Sequence, residues 1–307
     1  MKNFDSYKNQ TVGVEIEMTG ITRYMAAKTI AKHFGAQSVH VGGTYDAYEV
    51  KDDEGRVWSI KYDSSIKAQK KIPGGIQSYI SDTYKVEFIT PILSYNDIDE
   101  LQELVRKLRK AGAMVNETCG MHVHVGASKF TAQTVRNLVN IVASKEDILA
   151  DALKIFDNRR RYCRATNERF LKELNAKKPQ DLEELAEIWY NGNAARRRQV
   201  HYHDSRYTIC NLHALFSKGT IEFRCFNSTL HAGEVRAAIQ FCLALTHQAL
   251  STTKAVCRKT ETDNPRYTFR CFMLRLGLIG DEFKTCRYHF LKNLSGNCAW
   301  RNGAAVA

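Results

Sequence analysis

The chain has 307 residues, with 45 Lys and Arg against 33 Asp and Glu, for a formal charge of +12 at pH 7. A content of 44% hydrophobic and 25% charged residues is that of a globular protein, and 4 Pro with 18 Gly exclude collagen-like and proline-rich disordered classes. No run approaches the roughly 20 apolar residues of a membrane span, Met1–Ser6 carries no apolar stretch, and the nine scattered cysteines include no CxxC pair, so a cytoplasmic chain with reduced thiols is expected.

In chain order, Thr11–Met18 alternates with period two, which predicts a half-buried strand. Ile21–Phe34 reads as a helix, and Tyr45–Val50 and Val57–Tyr62 flank Asp53-Glu54-Gly55 as a hairpin. Lys67–Ser81, with Pro73-Gly74-Gly75, reads as a loop that either covers a site or merely connects strands. Tyr84–Ile89 is a strand stopped by Pro91. Ser94 and Asp97 have the spacing of a capping box, and Ile98, Leu101, Leu104, Val105 and Leu108 mark one face of the helix that follows. Gly120–Gly126 is a strand, followed by a helix from Thr131 to about Phe156. Tyr207–Leu212 and Thr220–Phe226 read as two strands meeting at Ser217-Lys218-Gly219. Helices then span Glu234–Leu250, Tyr267–Leu278 and Asp281–Leu294, the last with Asp281 as N-cap. Antiparallel strands interleaved with helices predict an α+β fold, in one domain over 1–307 that is mainly helical from about 231.

Several strands carry ionisable residues opposite their apolar face. Glu15 and Glu17 alternate with Val14 and Ile16; His122 and His124 with Met121, Val123 and Val125. Lys85 and Glu87 alternate with Val86 and Phe88; Glu222 and Arg224 with Ile221, Phe223 and Cys225. Residues at i and i+2 share a face about 6.5–7 Å apart, so strands in one sheet would gather carboxylates, imidazoles and an arginine on one surface. Each pattern has a plainer alternative: a solvated outer face for Glu15 and Glu17, a salt-bridge pair for Glu222 and Arg224, and a turn start for Asp63. Converging carboxylates repel unless cations neutralise them, and oxygen-rich ligation with one or two imidazoles suits Mg²⁺ or Mn²⁺.

Four stretches, taken in order, carry a resemblance. They are Gly13-Val14-Glu15-Ile16-Glu17, Val86-Glu87-Phe88-Ile89-Thr90-Pro91, Cys119-Gly120-Met121-His122-Val123-His124-Val125-Gly126 and Gly219-Thr220-Ile221-Glu222-Phe223-Arg224. Over about residues 10–300 the chain resembles the amidoligases, a branch of the carboxylate–amine ligases related to glutamine synthetase and glutamate–cysteine ligase. The stretch from Arg275 to Asn297 resembles the tail of phage and mobile-element members. The resemblance implies a glutamine-synthetase-like catalytic domain, a curved and mainly antiparallel sheet backed by helices, which takes ATP and two divalent ions. By position it implies metal ligands at Glu15, Glu17, Asp63, Glu87 and Glu222, with Asp63 or Glu87 bridging. It implies an imidazole on metal or phosphate at His124, with His122 as the alternative. Arg224 would face the transferred phosphoryl group, and Arg206 would bind ATP phosphates. Asp63-Ser64-Ser65 departs from the family's usual middle Gly, and Thr90 stands where Ser is common.

The expected function is therefore ATP-dependent amide or peptide-like bond formation through an acyl phosphate, from carboxylate and amine substrates left open among peptide or protein, cell-wall fragment, polyamine and free amino acid. A group near the amine must remove its proton: His122, or one of the metal-site carboxylates. The alternatives are a metal-dependent hydrolase without nucleotide and a basic nucleic-acid-binding protein. The runs Arg159-Arg160-Arg161 and Arg196-Arg197-Arg198 admit the second, or an acidic substrate, or simply a solvated face, but no RNA- or DNA-binding signature accompanies them.

Overall fold

A computed structural model describes residues 4–78 and 81–301, and the chain divides into two compact units. The first comprises Thr11–Val123 with Phe226–Arg236; the second comprises Met1–Gln10, His124–Cys225 and Ala237–Ala307.

In the first unit, β1 (Val12–Met18) buries Val12, Val14, Ile16 and Met18, as its alternation requires. Helix α1 (Arg23–Phe34) starts where the Thr22 hydroxyl accepts the Met25 amide and stops at left-handed Gly35. Strands β2 (Ser38–Gly42), β3 (Ala47–Lys51) and β4 (Val57–Lys61) pair antiparallel in succession. The 67–81 segment is not a plain loop: β5 (Gln69–Ile72) and β6 (Gly75–Ser78) form a separate antiparallel pair, and Tyr79 and Ile80 lie outside the described residues. Both strands are exposed along almost their whole length, so no apolar alternation announces them. The next strand, β7 (Val86–Ile89), is shorter than its pattern, because Asp82–Tyr84 form a 3₁₀ turn capped by Ser81. Lys85 therefore falls before the strand, and its ammonium pairs with Asp82 at 2.8 Å.

Strand β7 lies between β4 and β1, antiparallel to both. The Ser94 amide and hydroxyl each donate to Asp97 Oδ2 at 2.7 Å, so Asp does the work of the usual Glu in the box that leads into α2 (Ile98–Lys110). Strand β8 (Gly120–Gly126) completes the order β2-β3-β4-β7-β1-β8. Trp58 anchors this core: it is fully buried, stacks on Phe88 at 5.9 Å, and donates its indole N–H to Asp52 at 2.9 Å. Burying a ring of that size contributes about 3 kcal/mol, and the hydrogen bond keeps its polar end satisfied.

The second unit takes the remainder of β8 from His124 onward. The expected long helix is two, α3 (Ala132–Ala143) and α4 (Glu146–Leu153). At the break, Thr260 donates its amide (3.1 Å) and its hydroxyl (2.9 Å) to the Ser144 carbonyl, taking the acceptor that a continuing helix would use. Helices α5 (Glu168–Lys177) and α6 (Leu182–Tyr190) follow, capped by Asn167 and Asp181, and then the short α7 (Ala194–Arg197).

Of the expected strand 207–212 only β9 (Cys210–Asn211) forms, and its link onward is a helix, α8 (His213–Lys218), ended by Gly219 at φ 73°. Strand β10 (Thr220–Asn227) pairs antiparallel with β9. Helix α9 (Ala232–Ser251) precedes α10 (Pro265–Arg275) and α11 (Lys284–Leu291). Asp281 does not cap the last of these; it opens a 3₁₀ turn, Asp281–Phe283, that leads into α11. Phe241 stacks on Phe290 at 4.4 Å and on Phe269 at 6.0 Å, which fixes α9, α10 and α11 together.

The architecture is α+β, and the pairs β1–β7, β4–β7, β2–β3, β3–β4, β5–β6 and β9–β10 are antiparallel. Among the described residues, no helix is long and apolar enough to cross a membrane.

Candidate active site

In the first unit the register of β1, β7 and β4 sets the geometry. Glu17 lies opposite Glu87, and Glu87 opposite Lys61, so three charged side chains stand abreast on the face away from Phe88 and Ile16. Thr90 ends β7 in a way that secures β1: its hydroxyl accepts the Val14 amide at 2.9 Å and donates to the Pro91 carbonyl at 2.8 Å. Asp63 follows β4, and its Oδ1 accepts the Ser65 amide at 2.7 Å, so the residue that starts the turn also points a carboxylate at the cluster.

Two triads result. Glu15, Glu87 and His122 each bring a ligand atom within 4.8 Å of the others, as do Glu17, Asp63 and Glu87. Glu87 belongs to both. His122 Nδ1 meets Glu15 Oε2 at 2.9 Å, its Nε2 stands 3.9 Å from Glu17 Oε1, and the Gly120 amide donates to Glu17 Oε2 at 2.6 Å. Glu17 and His122 are each 4% exposed, which excludes a solvated outer face. Burial, followed by the charges of Glu15, Asp63 and Glu17, pushes the Glu87 carboxyl well above its ordinary value, with Lys61 opposing only weakly. Carboxylates crowded this way call for a cation, and five side chains offering four carboxylates and one imidazole form a hard donor set suited to Mg²⁺ or Mn²⁺.

The second unit buries a different kind of cluster. Glu222 is 2% exposed, with Oε1 on Arg224 Nη1 and Oε2 accepting from Asn211 Nδ2 at 2.5 Å. Arg224 is also tied to the Tyr162 carbonyl (3.4 Å), and buried Arg159 donates to the Arg224 carbonyl at 3.2 Å. His124 Nδ1 meets Thr220 Oγ1 at 3.1 Å, while its Nε2 stands 3.9 Å from Glu222. Beside them lies a cavity of about 390 Å³ bordered by Glu222, Asn211, His213, Arg206, Arg198 and Lys218. Arg206 lies over the Tyr202 and Tyr207 rings and donates to the His201 carbonyl.

The profile of a family described as "Putative amidoligase enzyme" matches residues 8–246. The chain belongs to this family. No curated protein matches it. Among solved structures, a bifunctional glutathione synthetase from Pasteurella multocida is similar at 10% identity and a TM-score of 0.38, over 93% of this chain and 46% of that one. The chain thus spans less than half of that protein's length.

In this amidoligase family member the sequence reading missed Asn211, His213 and Tyr190. Asn211 is 1% exposed and oriented at both ends, its Oδ1 accepting the His213 amide at 2.8 Å while its Nδ2 holds Glu222. The Tyr190 hydroxyl and His213 Nδ1 share a hydrogen bond at 2.6 Å. Burial raises the Tyr190 hydroxyl to about 12 and, with the nearby His203 and Arg206, lowers His213 to about 4, so a neutral phenol meets a neutral imidazole. The i, i+2 spacing of Asn211 and His213 was the available signal, but the apolar Leu212, Ala214 and Leu215 around it read equally well as strand. The arginine runs do not form a free basic face. Arg159 is buried, Arg160 pairs with Asp157, Arg197 holds the Tyr190 carbonyl and Arg198 pairs with Glu183.

Proposed function

We propose that the chain is an ATP-dependent carboxylate–amine ligase, built on a glutamine-synthetase-like catalytic sheet, that works through an acyl phosphate. The observation that carries this reading is Glu87, the shared member of two metal-competent triads, in a chain of the amidoligase family. Glu15, Glu17, Asp63, Glu87 and His122 would hold two divalent ions, and in the second unit Glu222 offers a carboxylate and His124 an imidazole for metal or phosphate. Such ions neutralise phosphate oxygens and so lower the barrier to phosphoryl transfer.

The chain's own residues do the rest. Arg224 presents planar donors to the phosphoryl oxygens from a backbone and side chain fixed by Arg159, Tyr162 and Glu222. Arg206 borders the basic cavity as a phosphate contact. The γ-phosphoryl group passes to a substrate carboxylate oxygen and ADP leaves. The amine nitrogen then attacks the acyl carbon, the C–O bond breaks, and inorganic phosphate departs with its electron pair. The amine proton goes to His122 or to a carboxylate of the first cluster. The 275–297 tail supports the phage and mobile-element type.

ADP release by the purified protein across a panel of carboxylates and amines, with mass spectrometry of the products, tests the assignment. Metal-dependent cleavage without nucleotide use, and no ADP with any pair, would sink it in favour of a hydrolase.

A further inference from the structure

The second unit holds another cavity, of about 380 Å³, with a different character from the basic one. Its floor is apolar: Phe170, Ile188 and Trp189, with Phe170 and Trp189 edge-to-face at 4.9 Å and 87°, while exposed Ala165 lies at its mouth. Its rim carries Arg169, which is 63% exposed, donates to Asn191 Oδ1 and reaches Glu173 at 3.4 Å. The volume, and an apolar floor beneath a polar rim, are those of a small-molecule pocket.

The two cavities are neighbours. The 3₁₀ turn Asp204–Arg206 gives Asp204 and Ser205 to this cavity and Arg206 to the basic one. His203, which lines this cavity, stacks on His213, which lines the other, with centroids 5.8 Å apart and planes at 18°. The wall is built rather than incidental: the Trp189 indole donates to Ser205 Oγ at 3.0 Å, and His203 Nδ1 meets the same hydroxyl at 2.8 Å.

We propose that this cavity anchors the amine substrate as a short peptide ending in an aromatic residue. The terminal ring lies against Phe170 and Trp189, continuing their edge-to-face arrangement. The terminal carboxylate meets Arg169, which keeps its bond to Asn191 Oδ1 and exchanges the long contact with Glu173 for a shorter charge-assisted one. The peptide's free amino end then extends past the Asp204–Arg206 turn toward the cavity bordered by Glu222. This assignment rests on the ligase reading for the fate of the amine, but not for the binding itself.

Binding of the dipeptide Ala-Phe, without ATP or metal, is measured by calorimetry and by tryptophan fluorescence, with Ala-Ala and Ala-Phe amide as controls. Of the three tryptophans, Trp58 is buried and Trp300 lies exposed near the chain's end, so Trp189 is the reporter. Ala-Phe should bind at least about tenfold more tightly than either control. A165L fills the exposed mouth of the cavity and R169Q removes the cation; each should weaken Ala-Phe about tenfold or more with Tm unchanged. W189F should abolish the fluorescence change while calorimetric binding persists. Equal affinity for Ala-Phe and Ala-Ala, or binding indifferent to A165L, overturns the proposal. ADP release measured in parallel separates the two readings: peptide binding without any ADP formation defeats the ligase assignment alone, and ADP formation without selective peptide binding defeats the cavity assignment alone.

Discussion

The two units bury their acids in opposite ways. Around Glu87 the neighbours are other carboxylates, with Lys61 opposing their charge. Around Glu222 the neighbours include an arginine, a carboxamide and, at 3.9 Å, the His124 imidazole, so much of its charge is answered by the fold itself. A buried carboxylate is tolerable when it is paired, and becomes a functional demand when it is crowded by its own kind. The first cluster is therefore suited to cations, and the second holds its carboxylate paired within a polar frame.

The largest effect should come from breaking the first cluster at its shared member. E87Q removes one ligand from both triads, so ADP formation should fall more than about 10³-fold, and calorimetry should show Mn²⁺ binding lost. The apo variant should melt at the same temperature or higher, because like-charge repulsion is relieved. A lower apo Tm would mean that Glu87 is a structural partner.

E222Q probes the opposite regime. The periodicity alone suggests that Glu15 and Glu222 respond alike to neutralisation, but the structure separates them. Removing the Glu222 charge leaves buried Arg224 without its carboxylate, and breaking such a pair costs about 3 kcal/mol or more. Thermal melts of E15Q and E222Q should therefore diverge, the first holding its Tm and the second losing several degrees. Equal melting would erase the distinction between the clusters.

R224K sharpens the comparison within the second unit. It keeps the charge on Glu222 but loses the planar fork, so ADP formation should drop about 10²–10³-fold while ATP affinity holds. Near-normal turnover would leave Arg224 with only its structural role. A smaller effect concerns the first cluster's need for cations. ATP affinity in chelator should be weaker by about tenfold or more than with Mg²⁺, since the acidic group repels the triphosphate. Equal affinities would refute a two-ion arrangement.

What the sequence made legible follows from these same contrasts. Strands β1, β8 and β10 announced themselves because ionisable residues at i, i+2 interrupt strongly apolar runs, although β8 and β10 are buried on both faces rather than alternating in exposure. The pairing of β1 with β7, which makes Glu87 common to two triads, is a non-local register that periodicity cannot fix. Helix α8 leaves no sign between the two expected strands, because His213–Lys218 is too short to show a helical period, and only Gly219 in a left-handed conformation marks its end. The split between α3 and α4 depends on Thr260, more than a hundred residues away, and no local pattern carries that. Asn211 and Tyr190 escaped for the same reason: each matters through a partner that only folding supplies.

The smallest predicted effect tests whether the second unit's frame is held neutral by design of its surroundings. His213 is lowered from an ordinary 6.5 to about 4, by burial first and then by His203 and Arg206, with Glu222 opposing. Between those values the unfolded chain carries a proton on this ring that the folded chain does not. Stability from this group is therefore complete above about pH 6.5 and declines as the pH falls toward 4. One proton sets a limit of about 1.4 kcal/mol per pH unit, and the slope should be smaller because the ring borders an open cavity. In H213Q the side-chain oxygen can still accept from the Tyr190 hydroxyl, but nothing titrates there. Denaturant melts of the metal-free protein from pH 7 to pH 4.5 should show the wild type losing stability faster than H213Q, so that any deficit of the variant narrows with acid. Parallel curves would mean that His213 takes up its proton in the fold over the same pH range as in the unfolded chain, with no neutral ring held by its surroundings.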